Sequence, residues 1–289
     1  MISVLILTKN EEINLPHCLA SLAWCDDIVV LDSGSTDRTV EIARDFGARV
    51  VHRNFDNWSA HLNWAGAEIS FKHEWLYYSD ADEVMPEDLR EELHCIARDG
   101  EGREAALLPV AYRLRYKNFF MGRWIKHCGI YPVWVLRFYR PSKVRWERLV
   151  NPTAVVSGLE GKLVGHFHHY SFRKGLSHWV EKHNSYSTQE ALESLKSLRA
   201  GRVPWGDLMP WKGPSVRRVA LKELSFRMPF RSQLRFVYMY FWKLGFLDGR
   251  AGYHYCKLLS IYEYLIEMKM REMRHELGGS GSRLDGGVE

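Results

Sequence analysis

The chain has 289 residues, 26% of them charged and 46% apolar, with 40 Lys plus Arg against 35 Asp plus Glu. This composition excludes an intrinsically disordered chain and supplies enough length to bury a core without disulfide or metal staples. Five cysteines with no CxxC pair read as a reducing compartment. No stretch reaches the roughly 18 apolar residues of a conventional spanning helix, and the first apolar run has no basic leader, as expected of a mature cytosolic domain. The net charge of +5 is unevenly divided: residues 1–100 carry −11, residues 101–200 carry +10 and residues 201–289 carry +6. Such polarity suits a protein whose later part faces an anionic ligand or surface.

Residues 2–7 form an apolar run ending at polar Thr8, Lys9 and Asn10, the pattern of a buried parallel strand. A helix carrying Ile13, Leu15, Leu19 and Leu22 follows, then a strand at 28–31. The turn from Asp32 to Asp37 comes next, with Thr36 as the expected cap of a helix that Gly47 stops. A third strand is predicted at 48–52, a helix from about 59 to 69, and a fourth strand at 75–78 ending in Ser79, Asp80, Ala81, Asp82 and Glu83. Repeated strand and helix units predict an α/β fold with a mostly parallel sheet, whose ligands lie beyond the carboxyl ends of the strands. After a helix near 86–96, strands rich in aromatic and basic residues are predicted at 104–118 and 133–150. A mostly helical stretch at 173–199 precedes a Trp, Gly and Pro linker at 201–214, then helices at about 230–246 and 250–275. The domain reading is one α/β domain over 1–200, in two halves at 1–100 and 101–200. A basic, aromatic helical extension follows over 201–275, then a disordered tail over 276–289.

Asp80 and Asp82, two residues apart, share one side of an extended segment, where their hard oxygens suit Mg²⁺ or Mn²⁺ bridged to a diphosphate. The plainer reading is a solvated acidic turn before a helix. Thr8, Asn10 and Asp32 stand at neighbouring strand ends, where they can contact a base or ribose. Glu11 and Glu12 serve equally as favourable first-turn charges. No GxGxxG follows the first strand and no GxxxxGK[ST] occurs, against a dinucleotide fold and a P-loop ATPase. His169, in the one histidine cluster, is either a further metal or phosphate ligand or a strand-edge residue. Between 211 and 257 the balance is +8, with large aromatics interleaved. This suits the headgroup layer of an anionic membrane, against the alternative of core aromatics with a solvated basic face. No nucleic-acid fold signature accompanies these residues, so nucleic acid is not expected as a partner.

Three motifs together, Ile6 to Glu12, Ile28 to Asp37 and Asp80 to Glu83, resemble family 2 glycosyltransferases with the GT-A fold, Rossmann-like and with a mostly parallel sheet. Gly245 to Gly252, after Arg227 to Arg231, resembles the branch containing bacterial lipopolysaccharide-core β-glycosyltransferases. The resemblance covers residues 1–275. It implies a nucleotide-diphosphate sugar donor, UDP-hexose by preference, a divalent metal at Asp80 and Asp82, and inversion at the anomeric carbon. Its donor-contact positions fall on Thr8, Asn10, Glu12, Asp32, Trp58, Asn63 and Asp80. The implied acceptor is a lipid-linked saccharide or lipopolysaccharide core, met by a peripheral protein on the cytoplasmic face of the bacterial inner membrane. Two departures stand out. Val150, Asn151 and Pro152 replace the branch's Val-His-Glu, which leaves Glu147, with Asp207 behind it, as the candidate base. His61, Leu62 and Asn63 replace Gln-Arg-Asn or Gln-Lys-Asn, removing a cation near the donor diphosphate. The alternatives are an inactive relative acting as a membrane assembly partner and a sugar nucleotidylyltransferase.

Overall fold

A computed structural model describes residues 1–99, 108–147, 152–199 and 230–279, and in the interval also 205–209, 211–213, 216–217, 220–221, 224 and 227–228. Ile2–Thr8 (β1) is buried along its whole length, as an apolar strand covered on both faces requires. It pairs in parallel with Ile28–Asp32 (β2) on one side and Trp75–Asp80 (β4) on the other, and β2 pairs in parallel with Arg49–His52 (β3). The helices Leu15–Ser21 (α1), Thr39–Asp45 (α2) and Trp58–Glu68 (α3) connect these strands. The four strands therefore match the expected parallel array, and their carboxyl ends are aligned: Thr8 lies opposite Asp32, Asp32 opposite His52, and Leu7 opposite Asp80.

Beyond β4 the sheet becomes mixed. Its order is β3-β2-β1-β4-β8-β6-β11-β5, with β7 pairing β6. The added strands are Glu83–Val84 (β5), Ala111–Phe120 (β6), Arg123–Trp124 (β7), Trp134–Tyr139 (β8) and Glu160–His169 (β11). β8 runs antiparallel to β4 and β6, while β6 and β11 are parallel. Val144–Glu147 (β9) and Thr153–Val156 (β10) form a separate hairpin, so the strand expected over 133–150 is two strands in two sheets. Residues 148–151, with Val150 and Asn151, lie outside the described residues.

Two apolar layers clamp the sheet. One unites Ile6, Leu19, Tyr77, Leu89, Phe138 and Phe167, including residues of α1 and of Glu87–Asp99 (α4). The other unites Leu5, Leu31, Leu62, Leu76, Tyr78 and Trp146, including residues of α3 and the hairpin. Trp75 stacks on Phe138 with centroids 4.5 Å apart, and each large side chain buried this way stabilises the fold by about 1.5–3 kcal/mol.

The chain divides into two units, Met1–Lys126 with Ile130–Lys174, and His127–Gly129 with the residues from Gly175 onward. In the second, Gly175–Arg199 (α5) packs Ala191 and Leu195 on Ile266 and Met270 of Gly249–Gly279 (α7). The helix expected over 230–246 is shorter: Arg231–Val237 (α6) passes into a π-helical turn, Tyr238–Trp242, and a 3-10 turn, Gly245–Asp248. Close packing enforces the break. A Cβ on Gly245 would lie 2.8 Å from the Met239 carbonyl oxygen, and one on Gly252 only 2.1 Å from the Gly245 carbonyl oxygen. Asp248, buried between them, accepts the His127 backbone N–H at 2.8 Å and faces its Nδ1 at 2.8 Å. α7 continues to Gly279, four residues past the expected end, and residues 280–289 of the expected tail lie outside the described residues.

Candidate active site

The β1 and β2 ends are locked together by side chains. Asp32, 1% exposed, accepts the Thr8 hydroxyl at 3.1 Å and the backbone N–H groups of Gly34 and Ser35 at 3.0 and 2.9 Å. The Ser35 hydroxyl donates to it as well. Burial alone would push this carboxyl up, but the hydrogen bonds from Ser35, Thr8 and Gly34 hold it below its ordinary value. Asn10, in the left-handed region at φ 55, accepts the Thr36 N–H at 2.7 Å, and its own N–H donates to Ser35 Oγ at 2.8 Å. Glu12 accepts the Arg38 N–H at 3.1 Å. Thr36 is therefore tied to Asn10 and does not cap the helix as expected: Arg38 stands at the N-cap without a side-chain cap bond, and Asp37 accepts the Thr39 N–H at 3.0 Å. Lys174 pairs with Glu11 at 2.6 Å. Four predicted residues, Thr8, Asn10, Glu12 and Asp32, thus form one rigid pair of loops.

The second group forms at the end of β4. Asp80 accepts the Tyr78 hydroxyl at 2.7 Å and an Arg137 N–H at 2.5 Å; the same Arg137 nitrogen donates to Glu83 at 2.5 Å. Glu83 is 2% exposed and accepts the Asp80 N–H at 3.1 Å. Burial pushes its carboxyl above its ordinary value against the pull of Arg137. Antiparallel pairing of β5 with β11 sets His169 opposite Glu83, which brings His169 Nε2 to 3.3 Å from Asp82 while its Nδ1 faces Asn118 Oδ1 at 2.6 Å. Burial would lower the imidazole pKa, but Asp82, Glu83 and Asp80 raise it above its ordinary value. The structure therefore brings His169 against Asp82, while Asp80, two residues earlier, is held by Tyr78 and Arg137. Their donor set, two carboxylates and one imidazole, suits a hard divalent ion. Among the described residues no three His, Cys, Asp or Glu side chains are placed to hold a metal ion, and both Asp80 oxygens are engaged by Tyr78 and Arg137.

Residues 3–155 match the model of glycosyl transferase family 2. The chain belongs to that family and is a glycosyltransferase. It is 34% identical over 206 residues to an uncharacterized glycosyltransferase of Rickettsia conorii, covering 68% of this chain and 71% of the relative. Over 292 residues it is 24% identical to the lipopolysaccharide core biosynthesis glycosyltransferase LpsC of Rhizobium meliloti, covering 96% and 93%. The crystal structure of S. aureus TarS 1-349 in complex with UDP-GlcNAc is similar at TM-score 0.44 and 12% identity, covering 92% of this chain and 81% of that one.

Other predicted residues of this family 2 glycosyltransferase take different places. Trp58 opens α3 and packs edge-on against Phe55, centroids 5.2 Å apart. The amide of Asn63 donates to the Trp146 carbonyl and accepts the Trp146 N–H, both at 2.8 Å, fastening α3 to β9. It is His61 that reaches the β2 loop, with Nε2 3.3 Å from Ser33 Oγ. Its Nδ1 lies 2.7 Å from Arg53, which pairs with Asp56 at 2.8 Å. Burial, reinforced by Arg53, lowers the His61 pKa to about 4. Arg53 directly follows the third strand. Glu147 ends β9 and pairs with exposed Arg145. Asp207 belongs to the second unit, where it faces Lys212 at 3.9 Å. Sequence reasoning missed Arg137, although a charged residue inside the apolar run Trp134–Tyr139 is itself the signal, since buried arginines are paired.

Proposed function

We propose that this glycosyltransferase transfers a sugar, with inversion, from a nucleotide-diphosphate donor, UDP-hexose by preference, to a lipid-linked saccharide or lipopolysaccharide-core acceptor. The observation that carries the reading is the placement of Asp80 and Asp82, with His169 against Asp82, at the carboxyl end of β4, next to the interlocked β1 and β2 loops. The family membership and the likeness to LpsC support it. Thr8, Asn10, Glu12 and Asp32 shape the nucleoside side, with Asp32 holding the turn that meets the base or ribose. Asp80 and Asp82 take the metal, Mg²⁺ or Mn²⁺, which when bound supplies Lewis-acid neutralisation of the departing diphosphate. Arg137 holds the Asp80 and Glu83 carboxylates in place, and His169 orients Asp82. The proton of the attacking hydroxyl passes to a carboxylate, for which Glu147 is the first candidate and Asp207 the second. Glu147→Gln lowers kcat by about 100-fold with donor KM unchanged if it is the base.

The same reading sets the protein against the cytoplasmic face of the inner membrane. No helix of the described residues is long and apolar enough to cross a membrane. Phe230, Phe241 and Trp242 are 70%, 56% and 79% exposed, and Arg235, Lys243, Arg250 and Lys257 are exposed among them. Between 230 and 257 the one carboxylate, Asp248, is buried. Exposed aromatics with cations and no surface carboxylate fit an anionic headgroup layer. Calorimetric titration with UDP, GDP and dTDP in Mn²⁺ tests the donor: UDP is expected to bind tightest, and tighter GDP binding overturns the preference. Co-sedimentation with anionic vesicles tests attachment, which should fall at high salt and on Trp242→Ser.

A further inference from the structure

Along β6, Leu114 joins the apolar layer shared with α1 and α4, and Tyr112 and Tyr116 pack against it; along β11, Leu163 and Phe167 do the same. Strand alternation turns Arg113, Arg115 and Lys117 of β6, and Lys162, Val164, His166 and His168 of β11, to the other face. That face is open at its centre, where Val164 is 79% exposed. Aromatic rings lie among the cations. Arg115 sits 5.0 Å from the Trp134 ring and 6.0 Å from Tyr131, Lys162 lies 5.1 Å from Trp134, and Lys117 lies 4.7 Å from Trp124. Arg113 pairs with Glu160 at 2.6 Å, but Arg115, Lys117 and Lys162 have no carboxylate partner among the described residues.

Two buried polar atoms here, Arg115 Nε and Trp124 Nε1, make no hydrogen bond within the protein; the Arg115 guanidinium also donates to the Val164 carbonyl. Such atoms are costly to leave unpaired. The local field is positive as well. Burial lowers the pKa of both His166 and His168, Lys117 lowers them further, and Asp88 opposes.

We propose that this face of β6 and β11 binds the anionic part of a saccharide, Arg115, Lys117 and Lys162 taking phosphate or carboxylate groups while Trp124, Tyr131 and Trp134 lie against sugar rings. Planar guanidinium and ammonium donors suit such oxyanions, and aromatic rings offer the apolar area that a sugar face needs. The assignment of this ligand as the acceptor rests on the function proposed above; the binding itself does not.

The test is calorimetric titration, without any nucleotide-sugar, of a maltotriose phosphate, neutral maltotriose, inorganic phosphate and phosphatidylglycerol vesicles. Because every arm reads binding, a failure of the transferase reading leaves this result standing, and the reverse. The maltotriose phosphate should bind at least about tenfold tighter than either neutral maltotriose or inorganic phosphate. Lys117→Gln and Arg115→Gln should each weaken it about tenfold, the scale of one charge-assisted hydrogen bond. Trp134→Leu should weaken the maltotriose phosphate but not inorganic phosphate. Arg115→Lys, which retains the charge, covers the case in which Arg115→Gln does not fold, and should retain part of the affinity. Equal affinity for charged and neutral sugar, unaltered binding by Lys117→Gln, or no binding of any probe overturns the proposal. So does loss of vesicle binding in Lys117→Gln with sugar binding intact, which would make the face a lipid headgroup site.

Discussion

At the carboxyl ends of β1, β2 and β4 the carboxylates of Asp32, Asp80 and Glu83 each have at least two protein donors. On the outer face of β6 and β11, in the same sheet, Arg115, Lys117 and Lys162 have no carboxylate partner among the described residues. The contrast separates two ways of preparing for a ligand. Carboxylates already paired by protein groups are held before anything binds, the condition for keeping a reacting centre in place. Cations without a protein carboxylate gain a counter-charge only from outside.

The sharpest way to break this contrast is at Arg137. Arg137→Met leaves Asp80 and Glu83 without their shared cation, and removing one member of a buried ionic cluster costs about 3–5 kcal/mol. The urea midpoint should fall accordingly; a midpoint like that of the unaltered protein would mean that the strand-end network is not interlocked. Asp32→Ala orphans the Gly34 and Ser35 N–H groups, and about 2–3 kcal/mol should be lost by the same measurement.

A third prediction concerns acid. His61 has a pKa of about 4 in the folded chain and about 6.5 when unfolded. Between these values the unfolded state binds more protons, so stability is present above about pH 6.5 and falls as pH drops toward 4. The loss should be on the order of 2 kcal/mol, the cost of protonating a buried imidazole beside Arg53. His61→Gln should remove that part of the pH slope in denaturation curves from pH 4 to 7. The smallest effect belongs to the open face: Lys117→Gln should move the midpoint by less than about 0.5 kcal/mol, whatever it does to ligand binding. A large loss there would show Lys117 to be a structural residue.

The same division marks what the sequence made legible. The parallel strands are announced by largely apolar runs at 2–7 and 28–31, and their polar ends by the abrupt change at Thr8, Asp32 and Asp80, because burial on both faces leaves a local pattern. His169 was readable as a candidate ligand, but its approach to Asp82 depends on β11 pairing with β5, a contact between residues more than 80 apart in the chain for which no local periodicity exists. Arg137 contradicts the apolar pattern that identifies its strand. The two-residue strands β5 and β7 are too short to show a period. Likewise the helical pattern over 230–246 gives no sign of the break, which arises from Gly252 meeting Gly245 across a turn. Asn63 is a similar case, since its two bonds to Trp146 join residues 83 apart.

The most direct measurement of the central claim is release of UDP from UDP-hexose by the purified protein, with and without Mn²⁺, compared with its Asp82→Ala variant. The account predicts turnover that requires the ion and falls by at least about 100-fold in Asp82→Ala, with the circular dichroism spectrum and urea midpoint little changed. Equal turnover in the two proteins, or turnover indifferent to the ion, would contradict it.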